Sequence, residues 1–349
     1  MVVLYSIEME LVAIERNTSR LVFRYAFGIA LIVAIAMGMG WNLAFLLPVL
    51  SLGFLAAGDT VPSLKQGVLF VLMIAIANLV GLVLSYTFLG IPAIHIMITF
   101  LILLHLFYTR NRLFGPMVKV WLIIAILLIP NVALLSKGLA TVMSITLTIN
   151  ATLAILLIWL IYFLIPVKEK NNPKAAAENN GIVESPTTRF YTALTTTLVI
   201  MPVYLLFYYF ELSGSILILI FIAILSMQPG FAKDFKGGKA LILGNLIGGM
   251  AAILAYEVLT VMPVFSYFVM LVILFGLLFG IQVFSGKKAA PLFGMAFSTF
   301  LLIICSVTEA GSNDAGSKLW SRVFQIMVAV IYVVTAFGVI DRFKKSVQS

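Results

Sequence analysis

The chain has few charged residues. Only 10% of its 349 residues are charged, whereas 63% are hydrophobic, and an ordinary soluble domain is roughly a quarter charged. Because a protein folded in water needs polar atoms on its exterior, this composition excludes an ordinary soluble fold. A helix bundle in lipid exposes Leu, Ile, Val and Phe without such a cost. The sequence therefore predicts an all-α membrane protein.

Residues for covalent and metal chemistry are scarce. One cysteine, Cys305, excludes both a disulfide framework and a cysteine-based metal site within the chain. His95 and His105 lie on one predicted helix, about 80° apart around its axis, so they do not form an i, i+4 metal pair. The sequence also contains no H-E-x-x-H, G-x-S-x-G or G-x-x-x-x-G-K-[ST] motif. We therefore expect no enzyme activity, metal or cofactor.

Basic residues are not gathered in one region. The net charge is +9, but Lys and Arg occur singly or in twos and threes between apolar runs, which does not favour nucleic-acid binding. The first twenty residues carry three glutamates before the first basic residue and have no cationic segment leading into an apolar one. We expect no cleaved signal peptide. Met1 and Met9 are both possible starts.

Twelve apolar runs approach the roughly 20 residues that a helix needs to cross the hydrocarbon core. Their approximate bounds are 21–40, 42–58, 68–89, 92–109, 117–135, 143–166, 190–210, 213–229, 239–261, 264–284, 289–307 and 319–340. The polar stretch 167–188 between them is typical of a flexible linker. The predicted organisation is a cytoplasmic N-terminus (1–20), a six-helix half (21–166), a cytoplasmic linker (167–188), a second six-helix half (189–341) and a cytoplasmic tail (342–349).

The distribution of basic residues tests this topology. With the N-terminus inside, all but three of the 22 Lys and Arg residues fall in cytoplasmic segments, as expected from the positive-inside rule. The exceptions are Lys137, Lys318 and Arg322. A miscounted span would break the alternation, so the pattern favours twelve spans in a bacterial inner membrane with both termini cytoplasmic.

The two predicted halves resemble each other. Four positions recur at an offset of 171: Lys65, Gly67, Pro92 and Gly115 fall on Lys236, Gly238, Pro263 and Gly286. Because each half has an even number of spans, the copies would share one orientation, which is a known transporter plan. The alternative is a chance match, since Gly and Pro are common at span ends.

The repeated unit combines a basic residue before the first span, a Lys-x-Gly that opens a glycine-rich third span, and a proline at the next turn. Together with FKGGKALILGNLIGGMAAILAYEVL (residues 235–259) and WSRVFQIMVAVIYVV (residues 320–334), it resembles the fusaric acid resistance (FUSC) family, and most of all its short members that are described only as a domain of unknown function. The resemblance implies export of small, often aromatic, organic acids or drug-like compounds, commonly with a periplasmic membrane-fusion adaptor. Larger members carry a cytosolic domain where this chain has only its linker.

Ionisable and amide residues within apolar spans are candidates for a substrate or proton path, because they are expensive in lipid. The carboxylate candidates are Glu257, for which the alternative is an interfacial residue that reaches water, and Asp59, for which the alternative is a helix cap. His105 has the alternative role of a neutral, packed ring. Asn78 and Asn245 occur in similar settings, ANLVG and GNLIG. They are predicted either to line a path or to join helices, and pairing them requires a four-residue shift from the offset of 171.

Four arginines are candidates for a charged mouth. Arg20, Arg24 and Arg189 precede or open the first span of each half, where they would draw organic anions or bind lipid headgroups. Arg322 lies at the outer end of the last span, where it would pair with an acidic residue or contact a periplasmic partner.

The leading hypothesis is thus an inner-membrane transporter subunit for efflux, and the alternative is a scaffold or accessory subunit that carries no substrate. Membrane lipid is the expected environment, and a periplasmic adaptor or a homo-oligomer is the expected assembly. Cargo and energy coupling cannot be derived from these motifs.

Overall fold

A computed structural model describes residues 2–40, 43–58, 60–109, 116–166, 185–210, 218–219, 222, 235–287, 289–309 and 315–348. The described residues form eleven α-helices and no strand. The helices are α1 (Val2–Gly38), α2 (Leu46–Ala56), α3 (Leu64–Thr87), α4 (Pro92–Tyr108), α5 (Pro116–Leu135), α6 (Lys137–Leu164), α7 (Pro186–Phe210), α8 (Phe235–Val261), α9 (Phe265–Val283), α10 (Ala290–Glu309) and α11 (Ala315–Gln348).

Eight of these helices are long and apolar enough to cross a membrane: α1 from Asn17, α3, α6, α7, α8, α9, α10 and α11. The apolar segments of α2, α4 and α5 are shorter. The prediction of an all-helical, multi-span membrane protein is confirmed. Twelve spans and two halves stay predictions, since the predicted span 213–229 lies outside the described residues except at 218, 219 and 222.

The outer face of α3 illustrates why lipid is the solvent. Leu72, Ile76, Leu79 and Val83 follow one another at spacings of three and four residues, and each is at least 51% exposed except Ile76, which is 44% exposed. This spacing places them on one face of the helix. A continuous apolar face of this kind is unfavourable in water but not in hydrocarbon.

Two compact units make up the chain, and each draws residues from both predicted halves. Unit 1 comprises Met1–Gly67, Asn150–Pro173 and Gly244–Leu319. In it α1 packs against α9, α2 and α10, and α10 also packs against α9 and α2. The interior position of α10 is visible in its burial, since residues 299–305 are all buried.

Unit 2 comprises Val68–Ile149, Lys174–Leu243 and Trp320–Ser349. Here α4 packs against α7, and α5 packs against both. Residues 121–133 of α5 are buried without interruption, so α5 is surrounded by protein on all sides. The predicted linker 167–188 is described only in its last four residues, and the last three of these open α7.

Candidate functional site

A cavity of about 320 Å³ lies in unit 1, where the ends of α1, α8 and α10 meet the start of α9. Its walls carry no charged side chain among the described residues. The lining residues are Met37, Gly40, Ala44, Leu259, Pro263, Val264, Phe265, Phe268 and Thr308.

The turn between α8 and α9 shapes this cavity. Pro263 cannot continue a helix and disfavours helical backbone in the residue before it. The preceding helix, α8, accordingly ends at Val261. Val264, the residue after the proline, is extended, with φ −113° and ψ 136°, and α9 begins at Phe265. The ring of Phe265 lies beside the end of α1, since it would be 3.5 Å from a Cβ atom at Gly38, an ordinary van der Waals distance. Gly40 has φ +62°, a conformation that favours glycine.

Thr308 brings the one hydroxyl of the lining. It donates hydrogen bonds to the carbonyls of Ile304 at 2.8 Å and Cys305 at 3.1 Å, both one turn back on α10. The hydroxyl proton of Thr308 is therefore used within the helix. The arrangement therefore provides shape and apolar contact rather than a charged or catalytic group.

A buried polar cluster lies in unit 2, between the start of α4 and the end of α7. The Nε2 atom of His95 is 2.7 Å from the hydroxyl oxygen of Tyr204, and both side chains have no exposed surface. The His95 ring also stacks on that of Tyr208, with centroids 5.4 Å apart and planes at 19°. Tyr208 donates to the carbonyl of Leu89 at 2.9 Å. This cluster ties α7 to α4 and to the turn before it.

The sequence analysis did not assign His95 and its tyrosine partners to a site. The available signal is the i, i+4 spacing of Tyr204 and Tyr208, which puts both rings on one face of α7. The sequence alone does not predict that this face of α7 packs against α4, because the two helices are far apart in sequence.

Arg24 is buried in unit 1, with 1% of its surface exposed. Its Nη2 atom donates to the carbonyl of Gly58 at 2.5 Å, and its guanidinium carbon lies 4.0 Å from the centroid of the Tyr162 ring. The Tyr162 hydroxyl donates to the same carbonyl at 2.8 Å. These contacts tie α1, the end of α2 and α6 together, so the Arg24 side chain is not at the surface where lipid headgroups would be reached.

The two asparagines are buried in similar helices but meet different partners. Asn78 Nδ2 donates to the Ser144 carbonyl at 3.0 Å and to the Thr148 hydroxyl at 2.8 Å, both on α6. Asn245 Oδ1 accepts from the hydroxyl of Thr299 on α10 at 2.8 Å. Each amide therefore joins its own helix to a neighbour.

Close helix contacts lie one turn after each asparagine. A Cβ atom at Gly81 would lie 3.0 Å from the Ala125 carbonyl oxygen, and one at Gly248 would overlap the Ala296 carbonyl. Small residues permit this approach of helix backbones in lipid.

The remaining candidates are not brought to one place. Glu257 is exposed on α8, and the twelve residues between it and Asn245 correspond to about 18 Å along the helix. His105 is exposed in unit 2, with Nε2 3.3 Å from the Thr109 hydroxyl. Arg20 is exposed and Arg189 is half-buried.

Two candidates cannot be placed. Asp59 lies outside the described residues, as does the side chain of Arg322 on α11. Within the described part of the chain, no group of three or more His, Cys, Asp or Glu residues is arranged to hold a metal ion.

Comparison with known families agrees with this architecture. Residues 202–336 match the family described as fusaric acid resistance protein-like, and residues 21–161 match one described as a protein of unknown function (DUF2955). The chain is a FUSC-like membrane protein. The resemblance seen in the sequence is therefore confirmed, and the family is transport-related.

In this FUSC-like protein the cavity draws on both matched segments. Met37, Gly40 and Ala44 lie in the first, and the other lining residues lie in the second. No curated protein and no solved structure matches the chain.

Proposed function

We propose that this FUSC-like protein is an inner-membrane transporter subunit that exports small aromatic or amphipathic organic acids or drug-like compounds with a periplasmic adaptor. The family match supports a transport role. The observation that carries the proposal is a correspondence between the helix contacts of the two units, which supports a duplicated, parallel transporter plan.

The correspondence begins with the helix pairs. In unit 1, α1 packs against α9, and in unit 2, α7 packs against α4. In both units, then, the first helix of one predicted half meets the fourth predicted span of the other half. The fifth predicted spans, in α5 and α10, carry the long buried runs of their units. Equivalent roles for equivalent spans are expected if one ancestral unit was duplicated.

The glycine contacts agree with a duplication and favour an offset of 167 residues between α3 and α8. Gly81 approaches the Ala125 carbonyl and Gly248 approaches the Ala296 carbonyl. The two alanines are 171 residues apart and the two glycines 167 apart. The four-residue shift that pairs Asn78 with Asn245 therefore also pairs the two glycine contacts, which supports treating the asparagines as equivalent positions.

The orientation and the path residues are parts of the same proposal. The sidedness of Lys and Arg supports cytoplasmic termini. We assign Glu257, Asn78, Asn245, His105 and Asp59 as candidates for the substrate or proton path, and Arg20, Arg24, Arg189 and Arg322 as candidates for the mouth. The buried contacts of Arg24 support a role in holding the helices around such a mouth.

A retention assay in cells tests this function. Cells that express the protein together with a membrane-fusion adaptor are loaded with radiolabelled 2-naphthoate and with 2-naphthamide, and their steady-state content is compared with that of cells carrying the adaptor alone. We expect lower retention, which a protonophore restores to the control level. Equal retention, with the protein present in the membrane, would overturn the proposal. Co-purification with the adaptor in that case would favour the scaffold alternative.

A further inference from the structure

The unit 1 cavity has no role in the family descriptions or in the sequence motifs. We propose that it is a binding site for one uncharged aromatic group, between a substituted ring and two fused rings in size. The inference selects the uncharged, drug-like compounds from the cargo of the proposed exporter and therefore rests on that function for its biological meaning, although binding itself is tested without transport.

The volume sets the size of the occupant. The cavity measures about 320 Å³, and ligand pockets in proteins start at about 300 Å³. An apolar cavity of about 150 Å³ stays dry and binds benzene. The unit 1 cavity therefore has room for roughly two fused rings, or for one ring with a short substituent.

The lining provides aromatic contact. The rings of Phe265 and Phe268 lie with centroids 6.3 Å apart and planes at 41°. Phe268 is 4% exposed and fixed in the wall, whereas Phe265 is 48% exposed and lies at the mouth. A flat ring that packs against either of them gains offset or edge contacts in addition to the burial of its surface.

The charge pattern excludes a carboxylate from the interior. The segments that contribute to the lining, residues 37–44, 259–268 and 305–308, contain no Lys or Arg. The charged residues closest to them in sequence are Glu257 and Glu309, which are both acidic. A carboxylate moved into this cavity would lose its hydration without gaining a cationic partner, which is unfavourable. An uncharged compound meets no such penalty.

The corresponding turn in unit 2 is built differently. Pro92 opens α4 there, 171 residues before Pro263. Behind it, the rings of His95, Tyr204 and Tyr208 are buried against one another. A proline turn of this kind can therefore be packed without leaving a cavity. The cavity beside Pro263 depends on the particular residues of unit 1.

Equilibrium binding to the protein in nanodiscs tests the site, with empty nanodiscs as the blank. The probes are radiolabelled 2-naphthamide, which is uncharged, and 2-naphthoate at neutral pH. The filling variant is Val264→Trp, since Val264 lines the cavity and is 44% exposed, so the larger ring is not forced into packed protein. The matched control is Ala93→Trp, at the exposed position that also follows the proline of its turn.

We expect saturable binding of 2-naphthamide to the wild type and about tenfold weaker binding of 2-naphthoate. Val264→Trp should weaken amide binding by about tenfold or more, and Ala93→Trp should leave it unchanged. If Val264→Trp does not fold, Phe265→Leu, which removes the ring at the mouth, should weaken the same binding. Equal affinity for the two probes, unchanged binding in the filling variant, or no saturable binding would each overturn the site.

The two proposals fail separately. Saturable binding without any effect on cellular retention would remove the export function and leave the site. Export that is insensitive to Val264→Trp, with no saturable binding, would remove the site and leave the function.

Discussion

At the residue scale, Arg24 shows how a charge is accommodated in an apolar bundle. A guanidinium lies flat on an aromatic ring and still directs an N–H outward, whereas a lysine ammonium is a point charge on a flexible stem. In unit 1 the ring is that of Tyr162 and the acceptor is the carbonyl of Gly58. Both contacts depend on the planar shape of the guanidinium group.

Replacement of Arg24 by lysine should therefore destabilise the protein although the charge is kept. We expect a loss of about 1.5–3 kcal/mol, the range for a hydrogen bond to a charged group. Thermal unfolding in detergent micelles measures the effect. Arg20→Lys is the control because Arg20 is exposed. Equal unfolding of both variants and the wild type would show that the Gly58 and Tyr162 contacts contribute little.

The pair of His95 and Tyr204 provides a second test. Tyr204→Phe keeps the ring but removes the hydroxyl that lies 2.7 Å from His95 Nε2, and it leaves a buried imidazole nitrogen without this partner. Such a loss costs about 1–3 kcal/mol. Tyr209→Phe, at a side chain that is 64% exposed, should have no effect on the same unfolding curve. A Tyr204→Phe protein as stable as the Tyr209→Phe protein would contradict this account.

At the element scale, the contact between α8 and α10 depends on a missing side chain. A Cβ at Gly248 would overlap the backbone carbonyl of Ala296, and a helix backbone does not move aside as a flexible side chain does. Gly248→Ala should therefore cost about 1–3 kcal/mol, as overpacking does. Unfolding in micelles again provides the measurement.

The control for that substitution lies on α10 itself. A Cβ at Gly294 has no heavy atom within 4 Å, so Gly294→Ala should be neutral or slightly stabilising through its helix propensity. If the two alanine variants unfold alike, the close approach of α8 to α10 is not a source of stability.

Sequence patterns predicted the elements better than their contacts. The apolar runs gave all eight of the long spans described, and the residues around Gly248 led to the family. The sequence predicts that Asn78 and Asn245 are buried amides with partners, because an amide side chain is rare and costly within an apolar span. The interaction of Tyr204 with His95, and of Tyr162 with Arg24, depends on helices more than 100 residues apart, and no local period specifies such a meeting.

The candidate site was harder to predict for a related reason. A cavity is the space left by side chains, and the lining of this one comes from four helix termini and two turns. Met37, Leu259 and Phe268 carry no chemical signature, so they are indistinguishable from core residues in the sequence. Charged candidates such as Glu257 are easier to notice, but Glu257 is exposed on α8 and lies outside the lining.

At the scale of the whole molecule, neither predicted half contains a complete compact unit. The surface of α1 that packs against α9 is covered by residues from beyond 244. Expression of residues 1–166 or 189–349 alone should therefore yield unstable protein, whereas co-expression should give halves that co-purify. A stable, monodisperse first half on its own would contradict the division into units.

The central proposal is that this chain exports small aromatic cargo, and proton exchange is the form of coupling that the protonophore in the retention assay also tests. Proteoliposomes with an acidic interior and a pH-sensitive dye test it directly, because added 2-naphthamide is uncharged and does not carry protons itself. We predict that the probe releases protons from vesicles containing the wild type or Ala93→Trp, and not from vesicles containing Val264→Trp. Proton release no greater than that of protein-free vesicles for the wild type would contradict the account.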